Sequence, residues 1–80
     1  MNASLEQAVK TAIEEHLSIY PQAADSAAGV ARWWLATRGL TATPAEVEHV
    51  LAEMVRHHSL RCVRLADGTV LYSKARADLH

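Results

Sequence analysis

The chain has 80 residues, of which 50% are apolar and 21% charged, and its formal net charge is −1. That length supports one domain with a single core. No apolar run approaches the roughly 20 residues of a membrane span. A single cysteine, Cys62, excludes an internal disulfide framework and a zinc knuckle of the usual spacing. With no signal-peptide pattern at Met1, the expectation is a cytoplasmic protein with no membrane partner.

The stretch SLEQAVKTAIEEHLSIY has Ser4 as expected N-cap and Gln7 three positions on, a capping-box arrangement. Leu5, Ala8, Val9, Ala12, Ile13, His16, Leu17 and Tyr20 share one side at helical spacing, which predicts a first helix over about 5–19. Pro21 ends it, because the residue before a proline is pushed out of the helical region. PQAA then links to a second helix capped by Asp25 or Ser26. Its stripe is Ala27, Val30, Ala31, Trp34 and Leu35, and Gly39 falls where a C-terminal glycine cap belongs. Gly29, inside this helix, costs about 1 kcal/mol of propensity relative to alanine and points to close packing.

A third helix over about 44–58 has the strongest local signal. Thr43 is the N-cap, Pro44 the first helical residue, and Glu46 completes a capping box. Val47, Val50, Leu51, Met54, Val55 and His58 share its apolar face. After it, 60–65 and 69–74 read as two short strands joined by a tight turn at Asp67-Gly68, followed by a loose tail.

Charge is unevenly spread. Residues 1–55 hold three basic side chains (Lys10, Arg32, Arg38) against seven acidic ones, whereas residues 56–80 hold five basic ones against Asp67 and Asp78. The five are Arg56, Arg61, Arg64, Lys74 and Arg76.

Three helices followed by a hairpin resemble the winged-helix variant of the helix-turn-helix. The residues that carry the resemblance are the Val30-Ala31/Trp34 stripe, the turn from Gly39 to Thr43, the capped third helix, Leu60 and the Asp67-Gly68 hairpin. It covers about residues 5–74 and implies a mainly α domain with a two-stranded wing, ordered over about 4–75. Such domains serve as DNA regulators and as protein-binding modules. In the DNA-binding members the third helix lies in the major groove. Here its exposed face carries Glu46, Glu48, His49, Ala52 and Glu53, and the carboxylates oppose approach to phosphates. A nucleic-acid contact therefore falls to the basic wing and its flanks: Arg56, Arg61, Arg64, Lys74 and Arg76. The same charges also protect a strand edge against aggregation.

The smaller constellations carry no expected chemistry. His49, Glu53 and His57 recur every four residues, but the outer two lie about 12 Å apart along a helix axis and cannot both reach one ion. No metal or other cofactor is expected. His16 and His58 fall within apolar stripes near helix ends, where a satisfied buried imidazole is the expectation and a pH-responsive core the alternative. Cys62 reads as a small buried hydrophobe. No nucleophile-base arrangement and no phosphate loop is evident, so an enzyme is not expected.

Trp33 and Trp34 are adjacent, and neighbours on a helix point about 100° apart. Trp34 continues the apolar stripe, which leaves Trp33 at its rim as a candidate interface anchor. The expected function is a small non-catalytic protein-interaction module using Trp33, Glu46, His49 and Glu53. Its partner is another protein or a second copy, with the acidic face meeting the basic wing. The alternative is a DNA-binding regulator contacting phosphates through the wing.

Overall fold

A computed structural model describes residues 2–75; the expected loose tail and Arg76 lie outside the described residues. The first helix, α1, spans Ala3–Ile19. Its N-cap is Asn2, whose Oδ1 accepts from the Leu5 amide at 2.7 Å. Asn2 caps as well as Ser4 does, and Ala3 extends the helix at almost no cost, so the cap lies two residues before the one expected. Val9, Ala12, Ile13 and Leu17 are its buried residues. The Tyr20 amide donates to His16 O at 2.8 Å and Pro21 stops the helix, which leaves Tyr20 outside the core rather than at the end of the stripe.

The link expected over PQAA contains a strand, β1 (Ala24–Asp25), too short to show any alternation of side chains. The second helix, α2, occupies residues 27–38 and changes character along its length. Ser26 caps it, with Oγ accepting from the Gly29 amide at 3.2 Å. One α-helical turn, Ala27–Gly29, gives way to a π-helical turn, Val30–Trp34, and then to a 3-10 turn, Ala36–Arg38. The π-turn is marked by the Leu35 amide donating to Val30 O at 3.1 Å, five residues back. Successive residues advance about 80° in such a turn instead of the α-helical 100° or so. Val30, Trp34 and Leu35 consequently fall within a sector roughly 80° wide, where an α-helix would spread them over roughly 140°. Trp33 swings from about 60° to about 120° away from Val30.

Gly29 is where Asp25 comes over the helix: a Cβ there would run into the Asp25 carboxylate. That carboxylate accepts from the Ser26 amide at 2.8 Å, so the missing side chain lets β1 join α2 without a gap. At the other end Gly39 takes the left-handed φ of 68°. The Leu40 amide reaches back to Leu35 O and the Gly39 amide to Ala36 O, which satisfies the last carbonyls of α2.

The third helix, α3, spans Pro44–Arg56 behind the expected capping box, with Glu46 Oε1 accepting from the Thr43 amide at 2.9 Å. It buries Val47, Val50, Leu51 and Met54. It also stops two residues before the expected end. His58 takes a φ of 65°, and the amides of His58 and Ser59 bond to Val55 O and Met54 O. His58 fills the left-handed closing position that glycine usually holds. It is therefore out of phase with the apolar stripe and exposed, not a core histidine.

Two further strands, β2 (Leu60–Arg64) and β3 (Val70–Lys74), form the hairpin. Its connection is a three-residue loop in which Gly68 has a φ of 93° and the Leu65 amide bonds Thr69 O at 2.7 Å. Asp67 Oδ1 accepts from the Thr69 amide at 2.9 Å, and that bond holds its carboxyl below the usual pKa. Because β1 pairs with the far side of β3, the expected two-stranded unit is an antiparallel sheet of three, in the order β1-β3-β2.

One cluster joins the helices to the sheet: Ile13 and Val9 of α1, Val30, Trp34 and Leu35 of α2, four residues of α3, and Leu60 of β2. Trp34 is 3% exposed at its centre and Trp33 is 59% exposed. Trp34→Ala is therefore expected to cost about 3–5 kcal/mol and Trp33→Ala less than about 1 kcal/mol. Chemical denaturation of the two variants measures the difference, and the reverse ranking would contradict the π-turn geometry.

Candidate functional site

Among the described residues, the three most exposed large apolar side chains gather at one place. Ile19 (64% exposed), Tyr20 (56%) and Trp33 (59%) line a single open concavity between the end of α1 and the outer side of α2. Each is there for a local reason. Ile19 is an apolar residue outside the α1 stripe, Tyr20 follows the last helical turn, and the π-turn rotates Trp33 outward. Arg32 stacks over Trp33, its guanidinium carbon 5.4 Å from the ring centroid.

His16 lines the concavity, and its ring is stacked on the buried Trp34 and tilted against Tyr20. His16 lies 4.3 Å from Trp34, centroid to centroid, with the planes inclined by 12°, and 5.0 Å from Tyr20. Arg38 closes the side. Its Nη1 donates to Trp34 O at 3.1 Å and to Thr37 Oγ1 at 3.0 Å, and lies 3.4 Å from His16 Nδ1. Its Nε faces Glu15 Oε1 at 3.6 Å. One guanidinium thus holds the end of α2 against the end of α1. An arginine only donates, so His16 accepts at Nδ1 and carries its proton on Nε2 when neutral. Burial, and then the charge of Arg38, push the His16 pKa below its ordinary 6.5, against a smaller opposing effect from Asp25.

The other candidate residues lie elsewhere. Glu46 is occupied in the α3 capping box, and His49 Nε2 pairs with Glu6 Oε2 at 2.9 Å. Glu53 pairs with Arg56 at 2.6 Å and faces His57 at 3.8 Å. No residue of α3 lines the Trp33 concavity, so Trp33 and the trio Glu46, His49 and Glu53 do not form one surface. Of the basic set, Arg56 is bound to Glu53, while Arg61, Arg64 and Lys74 are exposed on the hairpin. Cys62 is exposed as well, contrary to the buried position expected, because it sits on the outer strand beyond the helical body. Among the described residues no three His, Cys, Asp or Glu side chains come together as a metal site. Sequence reasoning missed Ile19, Tyr20 and Arg38. The signal for Ile19 was its position off the stripe, and for Tyr20 the proline that follows; Arg38 had none.

The His16 shift has a defined consequence. The native state favours the neutral ring, so the unfolded chain takes up the proton first as pH falls. This contribution to stability is fully present above 6.5, the ordinary histidine pKa, and is lost as pH falls through the lowered native value. The groups around the ring are Arg38 and Trp34 from α2, Tyr20 after α1 and Asp25 from β1, while Glu15 faces Arg38. Urea unfolding between pH 7.5 and 5 should show a steeper loss of stability for the native chain than for His16→Gln; parallel curves would contradict the assignment.

No protein-family model matches the chain, and no curated protein or solved structure shows significant similarity to it.

Proposed function

We propose that the chain is a winged-helix domain that serves as a non-catalytic protein-interaction module and docks a second copy of itself through Ile19, Tyr20 and Trp33. The order α1-β1-α2-α3-β2-β3 with sheet order β1-β3-β2 supports the winged-helix reading, with the β2–β3 hairpin as the wing. The observation that carries the function is the exposure of three large apolar side chains in one concavity of an 80-residue chain. Together they offer on the order of 350 Å² of apolar surface, about the size of the largest apolar patch on a typical monomer, a patch that is often functional.

A second copy fits the charge at the rim. Glu15, which also faces Arg38, stands on the α1 side of the concavity, and Arg32 lies over Trp33 on the α2 side. A two-fold axis through the patch sets each against its opposite in the other protomer, as an isologous interface requires. The area falls short of the roughly 800 Å² per partner of a standard complex, so the pairing is weak and reversible. Sedimentation over micromolar to millimolar concentrations is expected to show a monomer–dimer equilibrium that Trp33→Ala abolishes. Arg32→Glu weakens it, and mixing Arg32→Glu with Glu15→Lys restores association between the two variants. A monomer throughout, with no change on Trp33→Ala, overturns the reading.

The DNA-binding alternative is disfavoured by α3, where Glu48 is exposed, Glu53 adds a second carboxylate, and no arginine or lysine stands at the start of the helix. We expect no appreciable affinity for generic duplex DNA at physiological salt. A filter-binding or anisotropy titration that shows tight binding, lost in Arg61→Glu/Arg64→Glu, would favour that alternative.

A further inference from the structure

β2 is an outer strand of the sheet, and its residues from Arg61 to Arg64 are all exposed. The bonds at the two ends of the hairpin fix which backbone groups face outward. The Leu65 amide donates to Thr69 O, and the Ala75 amide donates to Ser59 O. In an antiparallel pair such bonded positions alternate. Ser59, Arg61, Val63 and Leu65 therefore direct their backbone groups to β3, and Cys62 and Arg64 direct theirs to the open side. The same alternation divides the side chains. Cys62 and Arg64 share the face of Leu60, which is buried, and of Tyr72, which packs on the core. Arg61 and Val63 lie on the other face, where Val63 is opposite Leu71.

The open edge thus presents one arginine on each face, three residues apart. Neither has a carboxylate partner among the described residues; Arg61 Nε only approaches Ser73 Oγ at 3.4 Å. We propose that β2 accepts an extended acidic peptide as a fourth, antiparallel strand. The backbone of such a peptide bonds to Cys62 and Arg64, and two carboxylate side chains three residues apart meet Arg64 and Arg61 on opposite faces. The chemistry that fits is an acidic residue, an apolar residue over Val63, any residue beside Cys62, and a second acidic residue. A second β2 strand does not fit, because it would bring four guanidinium groups together along one short ladder. This surface is separate from the Trp33 concavity and does not rest on its role.

The test is a titration of the full chain, labelled with nitrogen-15, with the capped peptide Thr-Glu-Val-Thr-Glu-Thr at low salt. Shift changes should centre on β2, and amide exchange should slow at Cys62 and Arg64 while Arg61 and Val63, already bonded to β3, change little. Arg61→Glu/Arg64→Glu should weaken binding by about tenfold, the effect of losing two exposed ion pairs. N-methylation of the peptide threonine beside Cys62 should abolish binding, and N-methylation of its valine should leave it intact. Binding without slowed exchange at Cys62 and Arg64, equal binding of both methylated peptides, or no binding overturns the proposal. So does tighter binding of duplex DNA at the same salt, lost in the same double variant, which assigns the arginines to phosphates.

Discussion

The bond from the Leu35 amide to Val30 O, across five residues instead of four, decides what the rest of the molecule can bury. At α-helical pitch the apolar side chains of α2 would be spread over roughly 140°, a broader face toward α1, α3 and the sheet. With this bond, Val30, Trp34 and Leu35 converge on the same cluster, and all three are at most 3% exposed. The same turn sends Trp33 to the opposite side. Core formation and surface exposure are thus two results of one hydrogen-bond shift, and π-turns of this kind are frequent where a protein meets something else.

The two ends of α2 secure the distortion. Asp25 occupies the volume that a side chain at position 29 would need, so the strand before the helix and the first helical turn are packed as a unit. At the far end Arg38 bonds the Trp34 carbonyl and reaches both His16 and Glu15. Gly39 then reverses the chain with a left-handed φ. A helix of three different pitches is held because its neighbours, more than its own propensity, define where it starts and stops.

The sequence is legible where a local rule acts alone. Thr43, Pro44 and Glu46 announce α3, and Gly39 announces the end of α2, because capping chemistry is confined to a few adjacent residues. The burial of Trp34 and the exposure of Trp33 were likewise readable from helical phase. The π-turn was not, since it arises from the competition of Trp34 and Leu35 for one core, which no short pattern encodes. Strand β1 was invisible for a similar reason: its two residues become a strand only by pairing with β3, far along the chain. His58 and Cys62 went astray through boundaries. A helix two residues shorter than its apolar pattern takes His58 out of the stripe, and a hairpin projecting past the helices leaves Cys62 in solvent. The concavity itself needed α1 and α2 to be placed against each other before Ile19, Tyr20 and Trp33 could be seen as neighbours.

A π-turn contains one residue more than the α-helical turn it replaces, so α2 carries a surplus residue in the segment that bears Arg32 and Trp33. Loss of the Trp33 codon would let the helix relax to ordinary pitch with Val30 and its core partners still within reach of one another. What would disappear is the outward bulge and the ring it displays. The exposed aromatic is in this sense an insertion laid over a sound helix, and the domain can gain or shed it in one mutational step without rebuilding its interior.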